Sequence, residues 1–155
     1  MIKGELEVKS TTKTAKKSTA KKAKVFSDAE MEAMQDAKKE RKGGADGLAD
    51  LMAKVKEMKG ADREIAEKLH AIVTANAPAL SPRTWYGMPA YAGPDGKAVI
   101  FYTPGAKFKE RYATLGFNTG AKLDDGTFWP TSWAVTKIDS AVEKEIIALV
   151  KKAVG

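Results

Sequence analysis

Aromatic side chains are concentrated in one stretch of this sequence. Of the 12 aromatic residues, 11 lie between positions 85 and 133, and only Phe26 lies elsewhere. Aromatic and β-branched residues favour strands, whereas Gly, Pro and Asp between them favour turns. The pattern therefore predicts antiparallel strands over 86–91, 98–102, 111–117 and 131–138, with turns between them.

Helical periodicity surrounds this stretch. Apolar residues at helical spacing predict helices over 27–42, 47–59 and 62–77, and a last helix from 140 onward. Ser27 with Glu30 and Ser140 with Glu143 match the capping-box pattern, so Ser27 and Ser140 are the predicted caps of the first and last helices. The first of them has a thin apolar side, mainly Met31, Met34 and three alanines, and is expected to lie on the domain surface. The order predicts an α+β fold, in which an antiparallel sheet of about four to five strands carries helices on one face.

The positive charge lies almost entirely at the start of the chain, over positions 1–24. This segment holds eight lysines and two glutamates, which gives +6 of the total charge of +7, so positions 25–155 carry only +1. The stretch over 10–24 repeats Thr-Ala-Lys-Lys and has only alanine as an apolar residue, so we expect it to be disordered in isolation. The predicted organisation is a lysine-rich tail over 1–24, an accessory helix over 25–45 and an α+β domain over 46–155.

Two functions are open for this tail. It can bind nucleic-acid phosphates, or it can serve only as a solubilising segment. The side chains expected to contact phosphates are those of Lys13, Lys16, Lys17, Lys21, Lys22 and Lys24.

Several classes of protein are disfavoured by what the sequence lacks. There is no cysteine, so disulfide frameworks and thiolate metal sites are excluded. No Gly-rich phosphate loop, nucleophile elbow or histidine cluster occurs, and no catalytic residue is predicted. No apolar run reaches the roughly 20 residues that span a bilayer, so we expect a cytoplasmic protein without a membrane partner. The single histidine, His70, is expected at the edge of the core with a hydrogen bond.

Two groups of residues are candidate binding sites. Asp124 and Asp125, with Glu110, offer oxygen ligands to a hard cation or to iron, although Asp-Asp-Gly is also an ordinary turn. An aromatic cleft is the second candidate, and it would hold a small ligand or stack nucleobases unless its rings form the core instead. The residues of this predicted cleft are Trp85, Tyr86, Tyr91, Trp129 and Trp133, with Phe128 beside them.

Four segments carry a resemblance to a known family. They are Trp-Tyr-Gly-Met-Pro-Ala-Tyr (85–91), Tyr-Ala-Thr-Leu-Gly-Phe (112–117), Leu-Asp-Asp-Gly-Thr-Phe-Trp-Pro-Thr-Ser (123–132) and Leu-Val-Lys-Lys-Ala-Val (149–154). Over about 48–154 the chain resembles the YdhG-like family of bacterial domains of unknown function. The resemblance implies a frataxin-like α+β fold and a role as an iron chaperone, with no catalytic residues to carry over.

If the chain handles iron, acidic side chains are its expected ligands. The first helix contributes Asp28, Glu30 and Glu32, and the later turn contributes Asp124 and Asp125. The leading hypothesis is a non-enzymatic binding protein without an obligatory cofactor, with iron delivery as its most concrete form and iron or an iron-using protein as its partner. A nucleic-acid-associated protein that acts through its tail and an enzyme or small-ligand binder at the aromatic cleft are the alternatives.

Overall fold

The computed structural model describes residues 26–42 and 47–155. The predicted tail over 1–24 lies outside these residues. The described part contains four helices, a five-stranded sheet and one short 3-10 helix. In chain order the elements are α1 (Asp28–Lys42), α2 (Gly47–Glu57), α3 (Gly60–Asn76), β1 (Ser81–Trp85), β2 (Met88–Ala92), β3 (Ala98–Thr103), the 3-10 helix (Ala106–Phe108), β4 (Ala113–Phe117), β5 (Ser132–Val135) and α4 (Ser140–Val154).

The sheet is a meander. Its strands follow the order β1-β2-β3-β4-β5, and every neighbouring pair is antiparallel. This architecture confirms the predicted α+β fold with an antiparallel sheet. In the described ranges no helix is long and apolar enough to cross a membrane.

One face of the sheet forms the core. Cross-strand pairing places Tyr91, Ile100, Tyr102, Leu115 and Phe117 on this face, and each is at most 5% exposed. Each large apolar side chain buried in this way contributes roughly 1.5–3 kcal/mol relative to exposure.

Three helices cover the core face. The side chains that pack into the core are Leu51 and Val55 of α2, Ile65, Leu69, Ile72 and Val73 of α3, and Ile146 and Val150 of α4. These stripes follow the predicted helical spacing. Leu48, at the start of the α2 stripe, is instead 47% exposed.

A buried tyrosine ties α3 to the sheet. The Tyr102 hydroxyl donates a hydrogen bond of 2.9 Å to the carbonyl of Asp62 in the first turn of α3. The Asp62 carboxylate accepts bonds from the backbone N–H groups of Gly105 and Ala106, just after β3. Burial, together with the nearby charge of Asp62, raises the pKa of Tyr102.

Some local features differ from the sequence prediction. The sequence pattern does not predict strand β1, because Ser81–Trp85 has no run of apolar residues. The last helix is capped by Asp139, whose carboxylate accepts from the Val142 N–H at 2.9 Å, and Ser140 is its first residue instead of its cap. At α1 the predicted Ser27 cap is confirmed by a bond of 3.2 Å from the Glu30 N–H.

Candidate functional site

The turn between β1 and β2 holds a carboxylate from α1. Tyr86 and Gly87 both have left-handed backbone conformations, with φ of 52° and 73°, and Trp85 pairs with Met88 across them. Two such residues in succession make the two-residue turn that fits a twisted hairpin. Their N–H groups donate to the two carboxylate oxygens of Glu40, each at 3.0 Å. The turn thus anchors the C-terminal half of α1.

An ion-pair cluster makes the second contact of α1. Lys54 Nζ lies 3.0 Å from Asp36, 3.7 Å from Glu57 and 4.0 Å from Glu32, and Lys107 Nζ lies 3.7 Å from Glu32. Burial acts to lower the pKa of Lys54, but the hydrogen bond to Asp36 and the three carboxylates outweigh it, so the pKa is raised. Glu32 and Asp36 of α1 therefore face the domain.

An aromatic cluster lies on the sheet face opposite the core. The Trp85 ring meets the Tyr86 ring edge-on at 4.8 Å and the Phe101 ring at 5.0 Å with a tilt of 45°. The Phe101 side chain lies over its cross-strand partner Gly116 on β4, where any Cβ would overlap the ring. Gly116 therefore makes the space in which Phe101 reaches Trp85.

A groove of about 360 Å³ lies beside this cluster. The Arg83 guanidinium donates to the Gly96 carbonyl at 2.7 Å, and the Asn118 amide donates to the Ala98 carbonyl at 3.0 Å. The volume of this groove lies just above the roughly 300 Å³ at which small-ligand sites begin, and its lining combines two aromatic rings with charged and polar side chains. Its lining includes Ala37, Glu40, Arg83, Trp85, Tyr86, Lys97 and Asn118.

A larger groove of about 800 Å³ runs along the other side of α1. It lies between α1, α2 and β1. Its charged lining contains both signs, from Asp36, Lys39, Glu40, Asp50, Lys54 and Arg83.

The predicted aromatic cleft is divided between the two faces of the sheet. Trp85 and Tyr86 belong to the cluster just described, whereas Tyr91 is 2% exposed and lies in the core. Trp133 packs edge-on against Phe117 at 5.5 Å on the core face, and Trp129 is also packed against the core. The five residues therefore do not line one cleft, because alternate positions of a strand point to opposite faces.

Phe128, beside Trp129, is 91% exposed. It is separate from the cluster around Trp85.

The acidic residues predicted for iron are not brought together. Asp28, Glu30 and Glu32 belong to α1, which contacts β1, whereas Asp124 and Asp125 lie between β4 and β5 at the far side of the sheet. Glu32 already faces Lys54 and Lys107. Across residues 26–42 and 47–155, no three His, Asp or Glu side chains are grouped so that they could hold a metal ion.

His70 has the environment expected of a histidine at the edge of the core. Its Nδ1 lies 3.0 Å from the Tyr91 hydroxyl, and the two rings stack with centroids 5.9 Å apart. Burial lowers the pKa of His70 and raises that of Tyr91. The pair joins α3 to β2.

Sequence reasoning does not find the residues that dock α1. Glu40 and Asp36 have no role assigned by any motif, although both line a groove and hold α1 against the domain. The Tyr86-Gly87 pair after an aromatic residue is the available signal for a tight turn with exposed N–H groups. Nothing local in the sequence indicates that the carboxylate of Glu40, 46 positions before Tyr86, accepts hydrogen bonds from this turn.

The chain matches no protein-family model, and neither a curated protein nor a solved structure gives a significant match. The resemblance to the YdhG-like family and the frataxin-like details of the fold stay predictions.

Proposed function

We propose that this protein is a non-catalytic binding protein that associates with nucleic acids through its lysine-rich segment over 1–24. The observation that carries this proposal is the separation of charge, because that segment holds +6 and positions 25–155 hold +1. A polyanion is attracted by local charge density, so the lysine-rich segment dominates the attraction.

The interactions of other basic side chains support the same assignment. Lys54 and Lys107 are paired with carboxylates, and Lys68 donates to the Ile138 carbonyl at 3.0 Å. These interactions leave less of their charge for phosphates. Lys107, Lys109 and Arg111 would line one side of the chain if their segment were an extended strand. The segment is not extended, because it contains the end of the 3-10 helix and a bend.

Binding of this kind has a defined physical signature. Each lysine that contacts a phosphate releases counterions, so the logarithm of affinity falls linearly with the logarithm of salt concentration. For duplex DNA the slope is at most about −7 if all eight lysines engage phosphates. Little sequence preference is expected, because phosphate contacts position a protein without reading bases.

The test compares two full-length variants of equal net charge. One carries glutamine at the six predicted phosphate-binding lysines, Lys13, Lys16, Lys17, Lys21, Lys22 and Lys24. The control carries glutamine at six exposed lysines of the described part, Lys56, Lys97, Lys109, Lys137, Lys144 and Lys152. Affinity for duplex DNA is measured by fluorescence anisotropy over a range of salt concentrations.

We expect the first variant to lose up to about five units of salt slope, whereas the control retains most of the wild-type affinity. Equal losses in both would show that overall charge, not the segment, carries binding. If the wild type itself fails to bind at low salt, the proposed function is wrong.

Iron handling, implied by the family resemblance, remains a second hypothesis. Asp124 and Asp125 are its adjacent pair of candidate ligands, and like Asp28 and Glu30 both are exposed and form no ion pair within the described ranges. Ferrous iron would be titrated anaerobically into the wild type and into the Asp124→Ala, Asp125→Ala variant, with amide resonances as the readout. Identical responses would remove these residues as the site.

A further inference from the structure

The outward face of α1 is apolar at its centre. Met31 and Met34 are 43% and 41% exposed, and Phe26, just before the helix, is 49% exposed. The inward side instead carries the buried Ala33 and Ala37 together with the acids that contact Lys54 and the β1–β2 turn. A helix that serves only its own domain turns its large apolar residues inward. The arrangement in α1 is the reverse.

The charged side chains of α1 also differ between its inward and outward sides. Glu32, Asp36 and Glu40 face the domain and are paired there. Asp28, Glu30 and Lys38 are exposed, and none of them forms an ion pair in the part of the chain that the structure describes.

The sequence of α1 offers these three charges no partner of opposite sign. Side chains on a helix meet at spacings of three and four residues. At those spacings Asp28 is followed by Met31 and Glu32, Glu30 is followed by Ala33 and Met34, and Lys38 is preceded by Met34 and Gln35 and followed by two further cations. Lys38 lies about 12–15 Å along the axis from the two acids, which is beyond side-chain contact.

We propose that α1 pairs in antiparallel orientation with α1 of a second copy of this chain. Centred on the methionines, the pairing sets Met31 of one copy against Met34 of the other. It also brings Lys38 of each copy to the first turn of the other, where Asp28 and Glu30 lie on either side of the methionines. A parallel pairing would set like charges against each other, so charge complementarity selects the antiparallel form.

The interface is small, so the dimer is weak. One helix pair with two methionines and a phenylalanine per copy falls below the roughly 1,200 Å² of stable interfaces, and dissociation constants weaker than about 1 µM follow. Because the lysine-rich segment ends at Lys24, shortly before α1 begins at Asp28, dimerisation would join two such segments in one particle. The pairing itself does not depend on nucleic-acid binding.

Charge reversal tests the partner and the orientation. Sedimentation equilibrium of the full chain is measured from about 10 µM to about 1 mM, because a weak dimer appears only at high concentration. Lys38→Glu alone and Asp28→Lys with Glu30→Lys should each weaken dimerisation about tenfold or more. The triple variant should recover it, because the charges are again complementary. A wild type that stays monomeric throughout, or a triple variant no better than the others, overturns the proposal.

Cross-linking tests the register without changing the charges. The natural chain has no cysteine, so Met31→Cys and Met34→Cys each introduce one thiol. In an equal mixture of the two variants under oxidation, the mixed disulfide between positions 31 and 34 should form several-fold faster than either symmetric disulfide. Faster symmetric cross-links would contradict the antiparallel pairing, and circular dichroism of each variant checks that α1 is intact.

Discussion

Nζ of Lys54 on α2 lies 3.0 Å from Oδ2 of Asp36 on α1, and both side chains are largely withdrawn from solvent, with 19% and 15% of their surface exposed. This ion pair joins the first helix to the rest of the fold. The main core cluster, in contrast, contains residues of α2, α3, α4 and the sheet and none from α1. The contacts of α1 are therefore mostly polar.

Asp36→Asn should release α1 without unfolding the domain. The change removes a charge-assisted hydrogen bond worth roughly 1.5–3 kcal/mol and leaves Lys54 with weaker partners. Amide hydrogen exchange should accelerate over Asp28–Lys42, while the amides of α3 and the sheet keep their protection. Glu67→Gln is the matched control, because its pair with Arg63 is exposed and such pairs contribute less than about 1 kcal/mol. Uniform loss of protection in both regions would show that α1 is part of the cooperative core.

The pH dependence of stability should include a contribution from His70. Burial lowers its pKa below the ordinary value of 6.5, so the unfolded chain binds a proton at a higher pH than the folded chain does. Stability should consequently fall as the pH drops below about 6.5 and level off below the folded-state pKa. Urea unfolding at about pH 7.5 and pH 5.5 measures the loss, which should be smaller in His70→Gln.

Because the chain has one histidine, its imidazole resonance can be followed without assignment ambiguity. A titration midpoint at or above 6.5 in the folded protein would contradict the expected direction.

The fold can be predicted from sequence where burial follows local periodicity. The α3 stripe of Ile65, Leu69, Ile72 and Val73 is fully buried, because a long amphipathic helix has only one face to place against a sheet. Strand β1 cannot be predicted in this way. It forms a strand because it pairs with β2 at the edge of the sheet. Its Pro82 lacks an N–H donor, which an edge strand tolerates.

The orientation of α1 does not follow from its composition. Met31 and Met34 are its largest apolar residues and are predicted to form the apolar side, yet both are exposed. Asp36 and Glu40 face inward because Lys54 and the N–H groups of the β1–β2 turn offer them partners. Those partners are distant in sequence, so no local pattern indicates them.

Gly116→Ala should destabilise the protein by about 1–3 kcal/mol, because its methyl group would overlap the Phe101 ring and overpacking has costs of this size. The displaced ring would also move from Trp85, which changes indole fluorescence. Adding Phe101→Leu should recover part of the loss, and a double-mutant cycle from urea unfolding measures this coupling. Additive effects of the two changes would show that the ring and the glycine do not constrain each other.

Gly87→Ala should disturb the docking of α1, and Gly96→Ala provides a closely matched control. Both glycines lie in hairpin turns with similar positive φ, 73° and 78°, so alanine has a similar backbone cost of roughly 1–2 kcal/mol at each. A Cβ at Gly87 would overlap the Asp36 carboxylate, whereas a Cβ at Gly96 has nothing within 4 Å. Gly87→Ala should therefore add a loss of hydrogen-exchange protection in α1 that Gly96→Ala does not show. Combining Gly87→Ala with Asp36→Ala should relieve the overlap, so the global stability of the double variant should approach that of Gly96→Ala. The ion pair with Lys54 is still missing in the double variant, so α1 should stay less protected from hydrogen exchange. Equal protection of α1 in the two single variants would mean that the contact between Asp36 and the β1–β2 turn does not hold the helix in place.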